Sequence, residues 1–329
     1  MRQSLISDAN KKWQAFMILA AVIISAVKLW AWTLTESNTI LTDLAESLVH
    51  VAASSMGLYA LILSSKPKDE KHPYGKGKIE YLSASIEGAL IIIAGLGIII
   101  KAIHDFFVQR HVHDIDLGIV LIAGVGLINY FLGRFMVKRG EQYNAIILES
   151  HGKHLKTDAY SSVGLLVGLG LLYFYPSSML DNSLAIIFGL IILVNGYLVL
   201  KKAVEGIMDK SDEALITNIL EYLNKHRRES WIALHKFRLV KYGSDLHADA
   251  VVTLPHYFDV TRTKKELENL KKTANNYTGQ HIEIFFEIQP CTPGHCKNCL
   301  MKNCEVRKEA FQEAALLQSQ EKHQKRNVN

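Results

Sequence analysis

The chain has 329 residues, more than one average domain needs, so two parts are expected. Its hydrophobic fraction of 49% is ordinary as a mean, but the long apolar runs crowd into the first 208 residues. The net charge of +5 resides mainly in short connections between those runs, which excludes a basic nucleic-acid surface. No phosphate-binding loop motif appears, which excludes a nucleotide-driven pump.

Six stretches are long and apolar enough to cross about 30 Å of hydrocarbon as helices. They cover Gln14–Leu34, Ile40–Ser64, Ser83–Ile103, Leu117–Val137, Ser150–Tyr175 and Ser183–Val204. The first runs to spanning length and has no convincing cleavage site, so it reads as a span and not as a removable signal. Lysines and arginines gather at the N-terminus, after span two (Lys66, Lys68, Lys71, Lys76, Lys78), after span four and after span six. The opposite connections are nearly free of them. The positive-inside rule therefore puts both termini in the cytoplasm of a bacterial-type cell, with the chain in the inner membrane.

Past residue 208 the pattern changes. A charged junction precedes helical spacing over Ser211–His226, alternation over Trp231–Val240 and Leu246–Leu254, a charged helix over Val260–Asn275 and a last alternating run at His281–Ile288. This order predicts a small cytoplasmic α+β domain of αββαβ, ferredoxin-like type. The expected domains are 1–208 in the membrane, 209–290 as the α+β domain, 291–305 as a cysteine cluster and 306–329 as a polar tail. Whether that tail is helical or disordered stays open.

Span two carries Asp43, Glu46 and His50, and span five carries His151, His154 and Asp158. Both sets have spacings of three and four, so each forms one stripe along its helix. Ionisable groups in hydrocarbon are costly and usually face a cavity or one another. Glu46, His50, His154 and Asp158 together can supply two oxygens and two nitrogens to a tetrahedral metal ion such as zinc. Asp43 is expected to orient one of these ligands. Lys28 and Glu87 are further charges within spans; they pair with each other or Lys28 snorkels.

The segments Thr42–Ser54 (TDLAESLVHVAAS), Pro67–Glu80 (PKDEKHPYGKGKIE) and His154–Gly164 (HLKTDAYSSVG) resemble the cation diffusion facilitator family. The six spans and the α+β domain fit the same family, so the resemblance covers nearly the whole chain. It implies a homodimeric metal-ion/proton antiporter, not an enzyme, whose transport ligands map onto Glu46, His50, His154 and Asp158. Span two departs from the usual His or Asp followed four residues later by Asp. The histidine-bearing ligand set implies zinc ahead of manganese, with iron, cobalt and cadmium as alternatives. Metal binds deprotonated ligands, so its release is expected to be coupled to proton uptake on His50, His154 and Asp158.

The resemblance also marks Asp69 and His72 as an accessory metal site, incomplete because Lys76 stands where a second histidine is expected. It pairs Lys78 with Asp209, and it suggests His235 and His247 as metal ligands in the α+β domain. Cys291, Cys296, Cys299 and Cys304 are spaced C-x4-C-x2-C-x4-C, and four thiols so close can close a zinc site. In a reducing cytoplasm they are thiols or metal thiolates. A competing function is a membrane-tethered metal sensor or assembly protein that binds metal through these cysteines. An anchor, however, has no use for paired ligand stripes in two spans.

Overall fold

The computed structural model describes residues 2–107, 115–143, 146–242, 245–278, 282–314, 316 and 317. The chain divides into two compact units. One comprises residues 1–62 and 80–204, the other residues 63–79 and 205–329.

Six long helices build the first unit: α1 (Arg2–Thr35), α2 (Asn38–Ser64), α3 (Ile79–Asp105), α4 (Ile115–Tyr143), α5 (Ile146–Phe174) and α6 (Ser178–Ile207). All six contain a window long and apolar enough to cross a membrane. Large apolar side chains such as Ile93, Ile100, Val120, Phe131, Val167 and Val194 point outward, which a bilayer accommodates and water does not. The protein is therefore a multi-pass membrane protein. Its helices pack closely where they lack side chains. A Cβ on Gly133 of α4 would lie 2.7 Å from the carbonyl oxygen of Gly152 on α5, so these two backbones touch.

The start of α2 is tied to α6 by a buried carboxylate. Asp181 accepts from the hydroxyl of Ser37 at 2.6 Å, from the backbone N–H of Asn38 at 2.6 Å and from that of Thr39 at 3.2 Å. The first amides of α2 have no partners within their own helix, and this carboxylate supplies them. The Asn38 side chain continues the knot, donating to Asp105 on α3 at 2.9 Å and to Asn182 at 2.8 Å. Lys101 balances the charge, 2.7 Å from Asp105.

In the second unit the order is α7 (Glu213–Lys225), β1 (Ala233–Tyr242), β2 (Asp245–Leu254), α8 (Val260–Thr278) and β3 (Ile282–Pro290). This is the αββαβ sequence expected. The sheet order is β1-β2-β3; β1 and β2 are antiparallel, while β3 returns parallel to β2 after α8. Asp212 caps α7, accepting from the N–H of Leu215 at 3.0 Å. Ile216, Ile219, Leu220 and Leu223 of α7 pack with Leu270 and Ala274 of α8 over alternate strand residues such as Leu246, Ala248, Ala250 and Val252. The described part of the polar tail is neither helical nor detached. It returns along the domain, and Leu317 enters this core at 2% exposure. Asn224 fixes it there, accepting from the Leu317 N–H at 2.9 Å and donating to its carbonyl at 3.1 Å.

Candidate metal-transport site

Helical periodicity puts Asp43, Glu46, Ser47 and His50 along one side of α2. His50 Nε2 lies 3.7 Å from Glu46 Oε1, with side-chain exposures of 16% and 30%. Donor atoms about 2.0–2.1 Å from a tetrahedral ion sit about 3.3 Å apart, so little adjustment separates this pair from a shared metal. Across the bundle, Asp158 of α5 meets His50 on the wall of a single cavity of about 60 Å³. Ser25, Ser47 and Asn129 line it too. That volume holds a few waters and is polar enough to keep them. His151 and His154 belong to α5, but their side chains lie outside the described residues.

Three features were not anticipated from the sequence. Lys28 of α1, 3% exposed, pairs with Asp43 at 2.8 Å and donates to Ser47 at 2.7 Å. It therefore neither snorkels nor pairs with Glu87; a buried ammonium needs a carboxylate at contact distance, and Asp43 supplies it. Asp43, 11% exposed, is engaged by that lysine and does not line the cavity. Asn129 of α4 is 2% exposed, and its side-chain oxygen has no hydrogen-bond partner among the described residues. An orphaned acceptor on the wall shared by His50 and Asp158 is costly unless a ligand, a water or a metal ion satisfies it. A polar residue in the middle of an apolar span was the one signal that marked it.

A family profile described as the cation efflux transmembrane domain matches residues 15–208. The chain belongs to the cation efflux family, also called cation diffusion facilitators. It is 28% identical over 283 residues to an uncharacterized transporter of Synechocystis sp., covering 84% of this chain and 90% of that one. It is 25% identical to the manganese efflux system protein MneS of Bacillus subtilis, over 81% of this chain and 92% of that one. It is 24% identical to the zinc transporter ZitB of Yersinia pseudotuberculosis, over 88% and 91% respectively. Like other cation efflux proteins, this one is a transporter of metal cations and not an enzyme.

The remaining expected residues of this cation efflux protein fall in the second unit. In the loop after α2, Asp69 receives Lys76 at 2.6 Å on one oxygen and His72 at 2.8 Å on the other. The Lys76 ammonium, with help from His72, holds the Asp69 carboxyl far below the usual carboxylate range. A fixed cation thus already neutralises the Asp69–His72 pair. Lys78 does meet Asp209, at 2.8 Å, and that carboxylate raises the lysine's pKa.

His235 and His247 sit near opposite ends of the β1–β2 ladder, opposite Val251 and Val240, and do not share a site. Burial pushes the His235 pKa down. His247 lies 3.2 Å from Glu283, which also binds Lys68, and its ring packs edge-on against Tyr74 and Tyr242. The four cysteines are free thiols lining one cavity. Burial pushes Cys299 up. Burial and a hydrogen bond to Cys304 push the neighbouring Tyr257 phenol up to about 12. Among the described residues, no three His, Cys, Asp or Glu side chains converge as a bound metal would require.

Proposed function

We propose that this protein exports a divalent transition-metal ion, zinc before iron, cobalt, cadmium or manganese, in exchange for protons. The observation that carries this reading is the cavity on which His50 of α2 and Asp158 of α5 meet, with Glu46 beside His50. Glu46, His50, His154 and Asp158 are the transport ligands. Two carboxylates and two imidazoles suit a borderline ion, and their summed charge of −2 cancels that of the cargo. Asn129 adds a neutral oxygen that satisfies a coordinated water or the ion itself. The Lys28–Asp43 pair contributes no net charge and ties α1 to the ligand-bearing stripe.

Proton exchange follows from ligand chemistry. An imidazole or carboxylate that takes a proton releases metal, so acid on the receiving side empties the site and the returning protons reset it. Lysine-rich connections support an orientation with both termini and the α+β domain in the cytoplasm of a bacterial-type cell, in the inner membrane. A homodimer is the assembly that the family resemblance implies.

The test is metal uptake into proteoliposomes under an imposed pH gradient, offering zinc, iron, cobalt, cadmium and manganese in turn. Wild type is expected to move zinc fastest with proton counterflow, and Asp158→Ala to move none. Equal uptake by Asp158→Ala, or uptake indifferent to the gradient, overturns the reading.

A further inference from the structure

The segment that follows β3 is built around four sulfurs. A cavity of about 490 Å³ opens beyond Pro290, and Cys291, Cys296, Cys299 and Cys304 all line it. No α-helix or strand holds these residues in place. A short 3-10 turn, Pro293–Asn298, starts from a capping box between Thr292 and His295. The Arg307 guanidinium then gathers three carbonyls of the loop: Cys296 at 2.8 Å, Cys299 at 3.0 Å and Met301 at 2.6 Å. Part-buried chain held by a cation, with thiols turned to a shared space, is poor hydrophobic packing but a suitable frame for thiolates.

Two side chains on the turn after β2 address the outermost sulfurs. His256 Nδ1 is 3.5 Å from Cys291 Sγ, and Tyr257 hydrogen-bonds Cys304. His295 is engaged within the turn through one ring nitrogen. Its Nδ1 is taken by Thr292, accepting from the backbone N–H at 3.1 Å and lying 2.8 Å from the hydroxyl. The donors facing this cavity are thus sulfur first, with no carboxylate on its wall, a set that selects thiophilic ions over hard ones.

We infer that this cavity is a structural site for one zinc-like divalent ion, bound by Cys291, Cys296, Cys299 and Cys304 as thiolates. His256 and Tyr257 donate to the sulfurs of Cys291 and Cys304, and Arg307 offsets the net charge of −2 that four thiolates leave on the ion. The donors do not yet converge, so the ion draws the 291–304 segment inward as it binds. What it secures is the tail. Beyond the cysteines the chain pairs back on itself, Gln312 N–H to the Lys297 carbonyl at 2.8 Å and the Asn298 side chain to the Glu313 carbonyl at 3.0 Å, before Leu317 enters the domain core. The ion therefore staples residues 291–317 to the α+β domain. This site is independent of the transport site and survives if the transport reading fails.

The test uses the full-length protein carrying Asp158→Ala, purified in detergent under reducing conditions and titrated with Co²⁺ alone. One equivalent is expected to raise intense thiolate-to-cobalt charge transfer and the visible bands of tetrahedral cobalt, and Zn²⁺ is expected to bleach both. Cys296→Ser with Cys299→Ser should remove the charge transfer. His256→Ala should keep the spectrum but weaken binding about tenfold, as loss of an outer hydrogen bond does. Metal should slow amide exchange in residues 291–317. Because the cysteine variant can misfold, alkylation of the Asp158→Ala protein, cysteines intact, is a second readout: zinc should slow modification of all four thiols by at least about tenfold. Absence of charge transfer, its survival in the double variant, or unprotected thiols overturns the site. Unchanged exchange in 291–317 overturns the staple.

Discussion

Gly152→Ala tests whether the α4–α5 contact sets the transport geometry. The added Cβ would lie 2.6 Å from the Val137 nitrogen, 2.7 Å from the Gly133 oxygen and 2.9 Å from Met136 Cβ. Ordinary contacts begin near 3.4 Å, so α5 must retreat from α4 by roughly 0.7 Å at that level. Two of the three opposing atoms are backbone and cannot rotate away. Asp158 stands six residues further along α5, about 9 Å up the axis, and shifts with the helix. Overpacking of this kind costs about 1–3 kcal/mol of stability, and a displaced ligand can lower turnover by about a hundredfold.

Gly170→Ala, on the same helix, is the control, because its new methyl meets nothing within 4 Å. Zinc flux in proteoliposomes and thermal unfolding in detergent should both fall for Gly152→Ala and stay near wild type for Gly170→Ala. Equal behaviour of the two variants would refute the argument that the backbone contact positions α5.

Three further outcomes are expected. Lys28→Met leaves the Asp43 carboxylate buried without its cation and should cost about 3 kcal/mol in unfolding; Lys28→Met with Asp43→Leu should recover most of it. Asn129→Ala should raise the KM for zinc several-fold with the unfolding temperature nearly unchanged, since its oxygen has no hydrogen-bond partner among the described residues; Asn129→Leu should block flux by filling the cavity. Asp212 is held below its ordinary 3.8, first by the Lys241 hydrogen bond and then by the Leu215 amide it caps. A depressed carboxyl stabilises the fold above pH 3.8, and that contribution is lost as pH falls through the lower folded value. Asp212→Ala should therefore cost about 1 kcal/mol at neutral pH, as loss of an exposed cap does, and nothing in strong acid. Unfolding monitored by tryptophan fluorescence against pH checks both arms.

The sequence alone determined the elements and the chemistry of single helices. Six spans are legible because a bilayer imposes both length and apolarity, and αββαβ because each element repeats its own period. The stripes of acids and histidines on spans two and five are legible as a pattern for the same reason: spacings of three and four project to one side of any helix. The loop residues Asp69 and His72 were visible as donors, but not that Lys76 neutralises them; a turn brings residues seven apart into contact, and no period announces it.

Only the tertiary structure decided which charges meet. On paper Lys28 pairs with Glu87 or snorkels, and packing of α1 on α2 gives it Asp43 instead. Asn129, the Asp181 cap on α2 and the Arg307 clamp each join residues that sequence separates or leaves unremarked. The sequence leaves the polar tail open between helix and disorder, and one leucine and one asparagine dock its described part. Local periodicity fixes which side of an element a residue faces. Which residue waits opposite depends on how elements rotate and slide against each other, and that is set by the whole packed core.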